Sequence, residues 1–167
     1  FTDFTSCGDF GDVISVAYVN GILYAVDNAR EGVMLEVTGD TVFDRIYGPP
    51  DFSTYNQNVY SSTTMTDPFD LAVSPDGRIL AISDGAIYET YSRVLLHTAI
   101  DGTDTVADDV IGDTDFTLNA ITDTNARSLM VPTGLCFYGN SLWVADGQHC
   151  RILRFDFPTT TANTSVP

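Results

Sequence analysis

The sequence predicts an all-β fold, and two observations carry that prediction. Of its 167 residues, 20 are Asp and 21 are Thr, whereas Glu occurs three times and Lys is absent. Asp and Thr favour turns and strands, while Glu and Lys favour helices. The second observation is a hairpin pattern that recurs three times along the chain. Hydrophobic residues make up 44% of the sequence, which suffices for a core and excludes wholesale disorder.

Each copy of the pattern is a short apolar strand, a tight turn and a second strand that ends in Asp. The three copies span 15–27, 71–84 and 135–146. Their turns contain Asn20-Gly21, Asp76-Gly77 and Gly139-Asn140. Such dipeptides tolerate the positive φ angles of tight hairpins. The three hairpins are therefore predicted to occupy the same place in a repeated unit.

A third apolar segment follows every hairpin, and a fourth follows the first two. The predicted third strands are 32–37, 93–97 and 151–155, and the fourth are 42–48 and 106–112. Antiparallel four-stranded units that recur at intervals of about 60 residues are typical of β-propeller blades. A β-sandwich is the alternative, but it does not explain the recurrence. We predict about three blades, 1–65, 66–130 and 131–158, and a Thr/Pro-rich linker or outer-strand connection at 159–167.

The third unit resembles the NHL-repeat family of β-propellers, in its long-period bacterial form. The resemblance lies in the segments 110–117, 126–135, 142–146 and 150–155. That family usually has a Gly-Gln-Pro-Asp-Phe phrase, a Pro-x-Gly strand start, a Val-Ala-Asp strand end and an Asn-Arg-Val-Leu third strand. Here Asp113 or Pro49 replaces Gln, Cys150 replaces Asn, and Gly32 stands where the first unit should have Arg. The resemblance implies a fold and leaves function to the site.

The two ends of the chain fit the same repeat. Residues 1–5 resemble residues 113–117, and residues 158–167 stop where a fourth strand should lead into that phrase. Known propellers have about four to eight blades, so we expect three blades to be completed from elsewhere. Another copy could do this, in a closed ring or a head-to-tail fibre, and so could more of the same chain.

Charge and cysteine content restrict the classes of partner and the cellular compartment that we expect for this protein. A formal charge of −16 and a pI near 4.1 disfavour nucleic acid and anionic lipid as partners. No apolar stretch approaches the roughly 20 residues of a membrane span, so we expect no membrane insertion. The acidic, Lys-free composition favours an extracellular or periplasmic, secreted protein. Cys7, Cys136 and Cys150 lack metal-ligand spacing, which leaves one disulfide or buried small side chains as their role.

Three groups of residues are candidates for a site. Asp27, Asp84 and Asp146 end equivalent strands, so they could form a cation-binding ring, but capping of the following turn is the favoured interpretation. Segment 101–109, with Asp113 and Asp115, is dense in oxygen donors that suit calcium, yet its spacing favours a solvated acidic loop. The two histidines, His97 and His149, lack ligand or catalytic spacing and are predicted to be solvent-exposed.

The sequence therefore favours a non-enzymatic extracellular propeller module for self-assembly or for protein or glycan binding. We predict no catalytic, cofactor-binding or metal residues. The alternative is a calcium-dependent, lactonase-like propeller hydrolase or lyase. A third hypothesis, compatible with both, is ligand capture by the loop residues Tyr55, Tyr60, Thr63 and Thr64. Separately, Asn163 begins an N-glycosylation sequon.

Overall fold

A computed structural model describes residues 11–40, 42–54, 59–85, 92–117 and 125–158. Within these ranges the chain forms eleven β-strands, one short 3-10 turn at Asn28–Arg30 and no α-helix. The strands form three antiparallel sheets, each of which follows the order of the chain. The predicted all-β class is confirmed.

Sheet 1 contains the first hairpin and the two strands after it. Its strands are β1 (Val13–Val19), β2 (Ile22–Asp27), β3 (Gly32–Glu36) and β4 (Arg45–Tyr47), in that order. Asn20 and Gly21 connect β1 to β2 with φ angles of 53° and 86°. Two successive positive φ angles are what a type I′ hairpin turn requires, so the Asn-Gly signal is confirmed.

Sheets 2 and 3 repeat this arrangement. Sheet 2 consists of β5 (Pro68–Val73), β6 (Leu80–Asp84), β7 (Arg93–His97) and β8 (Asp109–Ile111). Sheet 3 consists of β9 (Pro132–Tyr138), β10 (Ser141–Asp146) and β11 (Arg151–Asp156). The predicted first, second and third strands of every unit are present.

The fourth strands are shorter than predicted, and two aspartates account for this. The Asp44 carboxylate accepts the backbone N–H of Val37 at 2.9 Å, and that of Asp108 accepts the N–H of Thr98 at 2.7 Å. In both sheets a side chain therefore takes a donor that lies just beyond the third strand. Asp and Thr compete with regular backbone pairing in this way, so each ladder begins only after the aspartate.

The sheets stack face to face, with sheet 2 in the middle. Strand β5 contacts both β1 and β9, so the first strands of the three sheets lie side by side. One apolar core fills the space between sheets 1 and 2 and includes Tyr24, Leu35 and Leu71. A second core fills the space between sheets 2 and 3 and includes Leu96 and Leu142. Both faces of sheet 2 are therefore covered.

A glycine ends the fourth strand of each of the first two sheets. Gly48 and Gly112 have nearly identical φ angles, 101° and 102°. A Cβ atom at Gly112 would lie 2.8 Å from a side-chain carbon of Leu129 and 2.9 Å from the carbonyl oxygen of Ser92. The positive φ and the close approach both require glycine, which explains why this residue begins the recurring phrase.

Candidate functional site

The three aspartates that end the second strands are buried and bind backbone N–H groups. Their exposed fractions are 0%, 1% and 0% for Asp27, Asp84 and Asp146. In each case the donors belong to the segment that leads into the first strand of the same sheet. The N–H groups of Gly11 and Asp12 lie 3.0 Å from Asp27, those of Thr66 and Asp67 2.9 and 3.0 Å from Asp84, and that of Met130 2.5 Å from Asp146.

These contacts differ in part from the predicted turn capping. Asp27 does accept the N–H of Arg30, in the turn that follows it, at 3.1 Å. The donors common to all three aspartates, however, come from the segment before the first strand. Each carboxylate therefore ties the start of its sheet to the end of the second strand. This contact closes the hairpin at the end opposite its turn.

An arginine forms an ion pair with each of these buried carboxylates. Arg93 Nε lies 2.9 Å from Asp84, Arg151 Nε 2.7 Å from Asp146, and Arg30 Nε 3.6 Å from Asp27. The guanidinium of Arg93 also donates to the carbonyl of Phe116, and that of Arg30 donates to the carbonyl of Phe52. Both carbonyls belong to the recurring phrase after the fourth strand. The arginine therefore holds that phrase against the second strand of its own sheet.

The arginine of sheet 1 lies at a position that the repeat alignment missed. The alignment placed Gly32 where Arg was expected, but the structure supplies the guanidinium from Arg30, in the 3-10 turn. A Cβ atom at position 32 would lie 2.7 Å from both the Pro49 ring and the Tyr47 carbonyl oxygen. A useful signal was available in the sequence, since an Arg follows each strand-ending Asp within nine residues.

The buried carboxylates are therefore saturated by protein donors, which is the chemistry of a structural clamp. A cation-binding ring would need their oxygens to face an open space. Across the described ranges, no three His, Cys, Asp or Glu side chains converge in a way that could hold a metal ion. The structure thus gives the three aspartates a structural role.

The acidic segment 101–109 is built from local turns. Asp101 accepts the backbone N–H and the hydroxyl of Thr103 at 2.9 and 2.6 Å, and Asp104 accepts the N–H of Val106 at 2.9 Å. The hydrogen bonds from Thr103 hold the pKa of Asp101 below its usual value. Asp113 and Asp115 make the same kind of contact to Thr114 and Thr117. Paired Asp and Thr residues thus account for the unusual composition through their turns.

Both histidines differ from the prediction of exposed imidazoles. His97 is 1% exposed, because it lies on β7, which is covered on both faces. Its ring contacts Tyr47 with 4.6 Å between centroids. The side chain of His149 is 9% exposed, and its Nδ1 lies 2.8 Å from a carboxylate oxygen of Asp146. The short spacing of three residues between Asp146 and His149 is the sequence signal for this pairing.

Burial changes the acid–base behaviour of His97. Desolvation lowers the pKa of its imidazole from 6.5 to about 4, although Asp108, the backbone of Val106 and Asp104 act in the opposite direction. Neither ring nitrogen reaches a described partner with full hydrogen-bond geometry, although the Val106 backbone favours the protonated ring. A buried neutral imidazole is chemically suited to respond to acid, because protonation would leave a charge in an apolar environment.

The two described cysteines are exposed free thiols, so the expectation of buried small side chains is wrong for them. Cys136 lies on β9, on the side of sheet 3 that faces away from sheet 2. Cys150 precedes β11 and has a φ angle of 52°. Cys7 lies outside the described residues, as do Tyr55 and Asn163.

The left-handed conformation of Cys150 leads to a stability prediction. Asn tolerates positive φ far better than other non-glycine residues, and the exposed thiol of Cys150 makes no hydrogen bond in the described structure. We expect Cys150→Asn to raise the free energy of unfolding by about 0.5–1 kcal/mol. Chemical denaturation of both proteins under reducing conditions would measure the change. Cys136→Asn, outside the left-handed region, is the control, and an equal gain there would contradict the explanation.

The Tyr- and Thr-rich loop before β5 supports Arg93. The Tyr60 ring lies 5.6 Å from the guanidinium carbon of Arg93, and the Thr64 carbonyl accepts a hydrogen bond from that group at 2.8 Å. The carbonyl of Ser61 accepts another at 3.1 Å, while the Ser61 hydroxyl lies 3.1 Å from that of Thr63. These contacts give the described part of the loop a role in shaping the sheet 2 clamp.

A cavity of about 370 Å³ lies between the hairpin turns of sheets 2 and 3. It is lined by apolar residues including Ile79, Phe137 and Phe157, and Asp76 is the one titratable side chain in its lining. The Asp76 carboxylate already accepts a hydrogen bond from the Ser74 hydroxyl at 2.6 Å, which lowers its pKa. The one carboxylate of the cavity is therefore already engaged by a neighbouring hydroxyl.

Apolar side chains are exposed on β1 of sheet 1 and across the outer face of sheet 3. On sheet 1, Val16 and Tyr18 of β1 are 63% and 71% exposed. On sheet 3, Ile152 and Trp143 are 70% and 39% exposed. Exposed apolar patches of this kind commonly mark interaction surfaces. These two faces are the strongest candidate site in the described structure.

Strand register shows what the exposed residues correspond to in the other sheets. Trp143 of β10 is equivalent to Ala81 of β6 and Tyr24 of β2, since each lies three residues before the strand-ending Asp. Ala81 and Tyr24 are both fully buried, because the next sheet along the chain covers them. Ile152, through its pairing with Ala145, is equivalent to the buried Val94 and Val33.

The outer face of sheet 1 can be compared with the other sheets in the same way. The residues to compare are those on the side of each sheet that points towards the preceding sheet. Val16 pairs with Ala25 and is therefore equivalent to Leu71 and Leu135. Leu71 packs in the core against sheet 1, and Leu135 packs in the core against sheet 2. Each of those leucines is thus covered by the preceding sheet. Val16 lies on the corresponding side of sheet 1, and its side chain is exposed.

Comparison with known proteins adds no family assignment. No protein-family model matches the chain, and no curated protein matches it. None of the helical segments in the described ranges is long and apolar enough to cross a membrane.

Proposed function

We propose that this chain is a non-enzymatic, extracellular β-propeller module that functions in assembly. In this proposal the three sheets are NHL-like blades, and the outer faces of sheets 1 and 3 take part in binding. The sequence supports the propeller arrangement through its repeated hairpins. The described structure supports it through three sheets of the same strand order that stack with their first strands side by side.

The observation that carries the proposal is the contrast between equivalent positions. Tyr24 and Ala81 are buried where one sheet covers the next, whereas Trp143 is exposed at the same position on sheet 3. Full burial of a large apolar side chain contributes about 1.5–3 kcal/mol. A face with the pattern of a covered face therefore gains stability when a partner covers it.

Assembly predicts a mass that depends on concentration. We expect sedimentation equilibrium to give the 18.1 kDa of one chain at high dilution and at least twice that mass at high concentration. Copies with a charge of −16 repel each other, so about 0.5 M NaCl should strengthen the association by screening. A protein that remains a single chain at every concentration and salt level would contradict the proposal.

A calcium titration tests the competing enzymatic interpretation in the same samples. If assembly is the function, we expect the midpoint of thermal unfolding to be the same with calcium and with a chelator. Binding of an ion to the folded state alone would raise that midpoint. A large calcium-dependent rise would support the propeller hydrolase or lyase instead.

A further inference from the structure

We infer that the outer face of sheet 3 binds the outer face of sheet 1 on a second copy of this chain, head to tail. This inference rests on the proposed assembly function and specifies which surfaces meet. The outer face of sheet 3 consists of exposed residues on all three of its strands. They are Cys136, Tyr138, Trp143, Ile152, Arg154 and Asp156. On the outer face of sheet 1, Val16 and Tyr18 of β1 are exposed. Further along this face Ala25 and Met34 are already buried in a cluster with Phe43, so β1 is the part that a second copy would cover.

Two junctions within the chain already show the geometry that the second copy would continue. Between sheets 1 and 2, Tyr24 and Leu35 of the first sheet pack together with Leu71 of the second. Between sheets 2 and 3, Ala81 and Leu96 of one sheet pack together with Leu135 of the next. Both junctions therefore use the same face of the leading sheet and the same face of the following sheet.

The exposed faces fit this order. Trp143 and Arg154 form a pair across β10 and β11, as do Ala81 with Leu96 and Tyr24 with Leu35. Sheet 3 thus presents the face that a following sheet covers. Val16 lies where Leu71 and Leu135 lie in their sheets, so sheet 1 presents the face that covers a preceding one. In this arrangement a second copy covers that face with its own sheet 1.

Hydrogen bonds at the existing junctions indicate how closely the first strands approach. The Asp70 carboxylate accepts the Ser15 hydroxyl at 2.6 Å on one side and the Leu135 N–H at 2.8 Å on the other. One side chain of β5 thus joins β1, β5 and β9. The position equivalent to Asp70 on β9 is Gly134, which brings no carboxylate. The junction between copies is therefore expected to depend on the apolar residues.

Arg154 is the one cation on the outer face of sheet 3. Its guanidinium lies 2.9 Å from the Asp156 carboxylate and 5.9 Å from the Trp143 ring centroid. The equivalent residues are Leu35 and Leu96, both buried. The long side chain of Arg154 can cover apolar surface while its charged end stays in water. It therefore does not prevent this face from being covered.

Two charge substitutions and their mixture test this pairing. Val16→Asp blocks the face on sheet 1, and Ile152→Asp blocks the face on sheet 3. Because both residues are exposed in the single chain, the variants should fold, whereas a carboxylate without a partner opposes burial in a junction. We expect each variant alone to associate at least about tenfold more weakly than the unmodified chain. Val106→Asp, at an exposed apolar position outside both faces, is the matched control and should associate normally.

The decisive measurement is the mass of the species that forms in an equimolar mixture of Val16→Asp and Ile152→Asp. Each mixed pair retains one intact junction, so we expect a species of two chains that does not grow further. In the unmodified protein the same junction gives either a closed ring of two copies or a fibre, and both outcomes support head-to-tail pairing.

Other outcomes separate failure of this inference from failure of assembly itself. If Val16→Asp associates normally while Ile152→Asp does not, sheet 3 binds sheet 3 of another copy. Head-to-tail pairing would then be wrong and assembly would stand. The reverse result would mean that sheet 1 pairs with sheet 1, with the same consequence. If the mixture does not associate although both variants are folded, the head-to-tail pairing is wrong. If the unmodified chain is a single chain throughout, both proposals fail.

Discussion

Asp84→Asn is expected to lower the free energy of unfolding by about 3–5 kcal/mol, because it leaves a buried guanidinium without its carboxylate. Asp84 and Arg93 side chains are 1% and 4% exposed, and Arg93 Nε lies 2.9 Å from the carboxylate. Asparagine can still accept the N–H groups of Thr66 and Asp67, but it cannot neutralise Arg93. In a chain of this size the loss corresponds to a fall of roughly 6–20 °C in the unfolding midpoint.

The matched control is an ion pair of similar distance at the surface. Arg154 Nη2 lies 2.9 Å from Asp156, but both side chains are more than half exposed. Surface pairs of this kind contribute little, so Asp156→Asn should leave the unfolding midpoint nearly unchanged. Thermal and chemical denaturation of the two variants would measure the contrast. Equal effects would mean that burial does not decide the strength of the clamp, which would contradict our account of it.

The hairpins and the strand-ending aspartates could be predicted because their signals are local. Asn20-Gly21 determines a turn by its own backbone preferences, and apolar alternation on either side supplies the strands. The clamp of sheet 1 was missed because the alignment compared fixed positions. The chain instead satisfies Asp27 from Arg30, two residues before the aligned position, since Gly32 leaves no space for a side chain. The clamp depends on where the guanidinium lies in space. The number of residues between the Asp and the Arg determines that position only loosely.

Burial of the third strands could not be predicted from their pattern alone. Arg93 and His97 begin and end a strand whose five residues are all buried. Alternation distinguishes one buried face from one solvated face, but sheet 2 is covered on both. On sheet 3 the pattern alternates along β11, and Ile152 is exposed although it is apolar. The stacking order of the sheets, which is a tertiary property, decides these exposures. The exposure of Trp143, equivalent to the buried Ala81 and Tyr24, has the same tertiary origin.

His97 is expected to make the protein less stable in mild acid. Its pKa is lowered to about 4 in the folded chain, compared with about 6.5 for an exposed histidine. Between these values the unfolded chain binds a proton that the folded chain does not, so stability rises with pH in this window. The full contribution is present above pH 6.5 and is lost as pH falls towards 4. Its size is about 3 kcal/mol.

Denaturant titrations at several pH values between 7 and about 4.5 would measure this loss, because most carboxylates titrate below that range. His97→Leu removes the buried titratable group and keeps a similar volume, so we expect its stability to vary much less with pH. His149→Gln is the control, since it removes the histidine that pairs with Asp146 and should retain most of the acid sensitivity. If His97→Leu loses as much stability as the unmodified chain, the acid response comes from other groups. The buried imidazole of His97 would then not explain how the stability of the protein depends on pH.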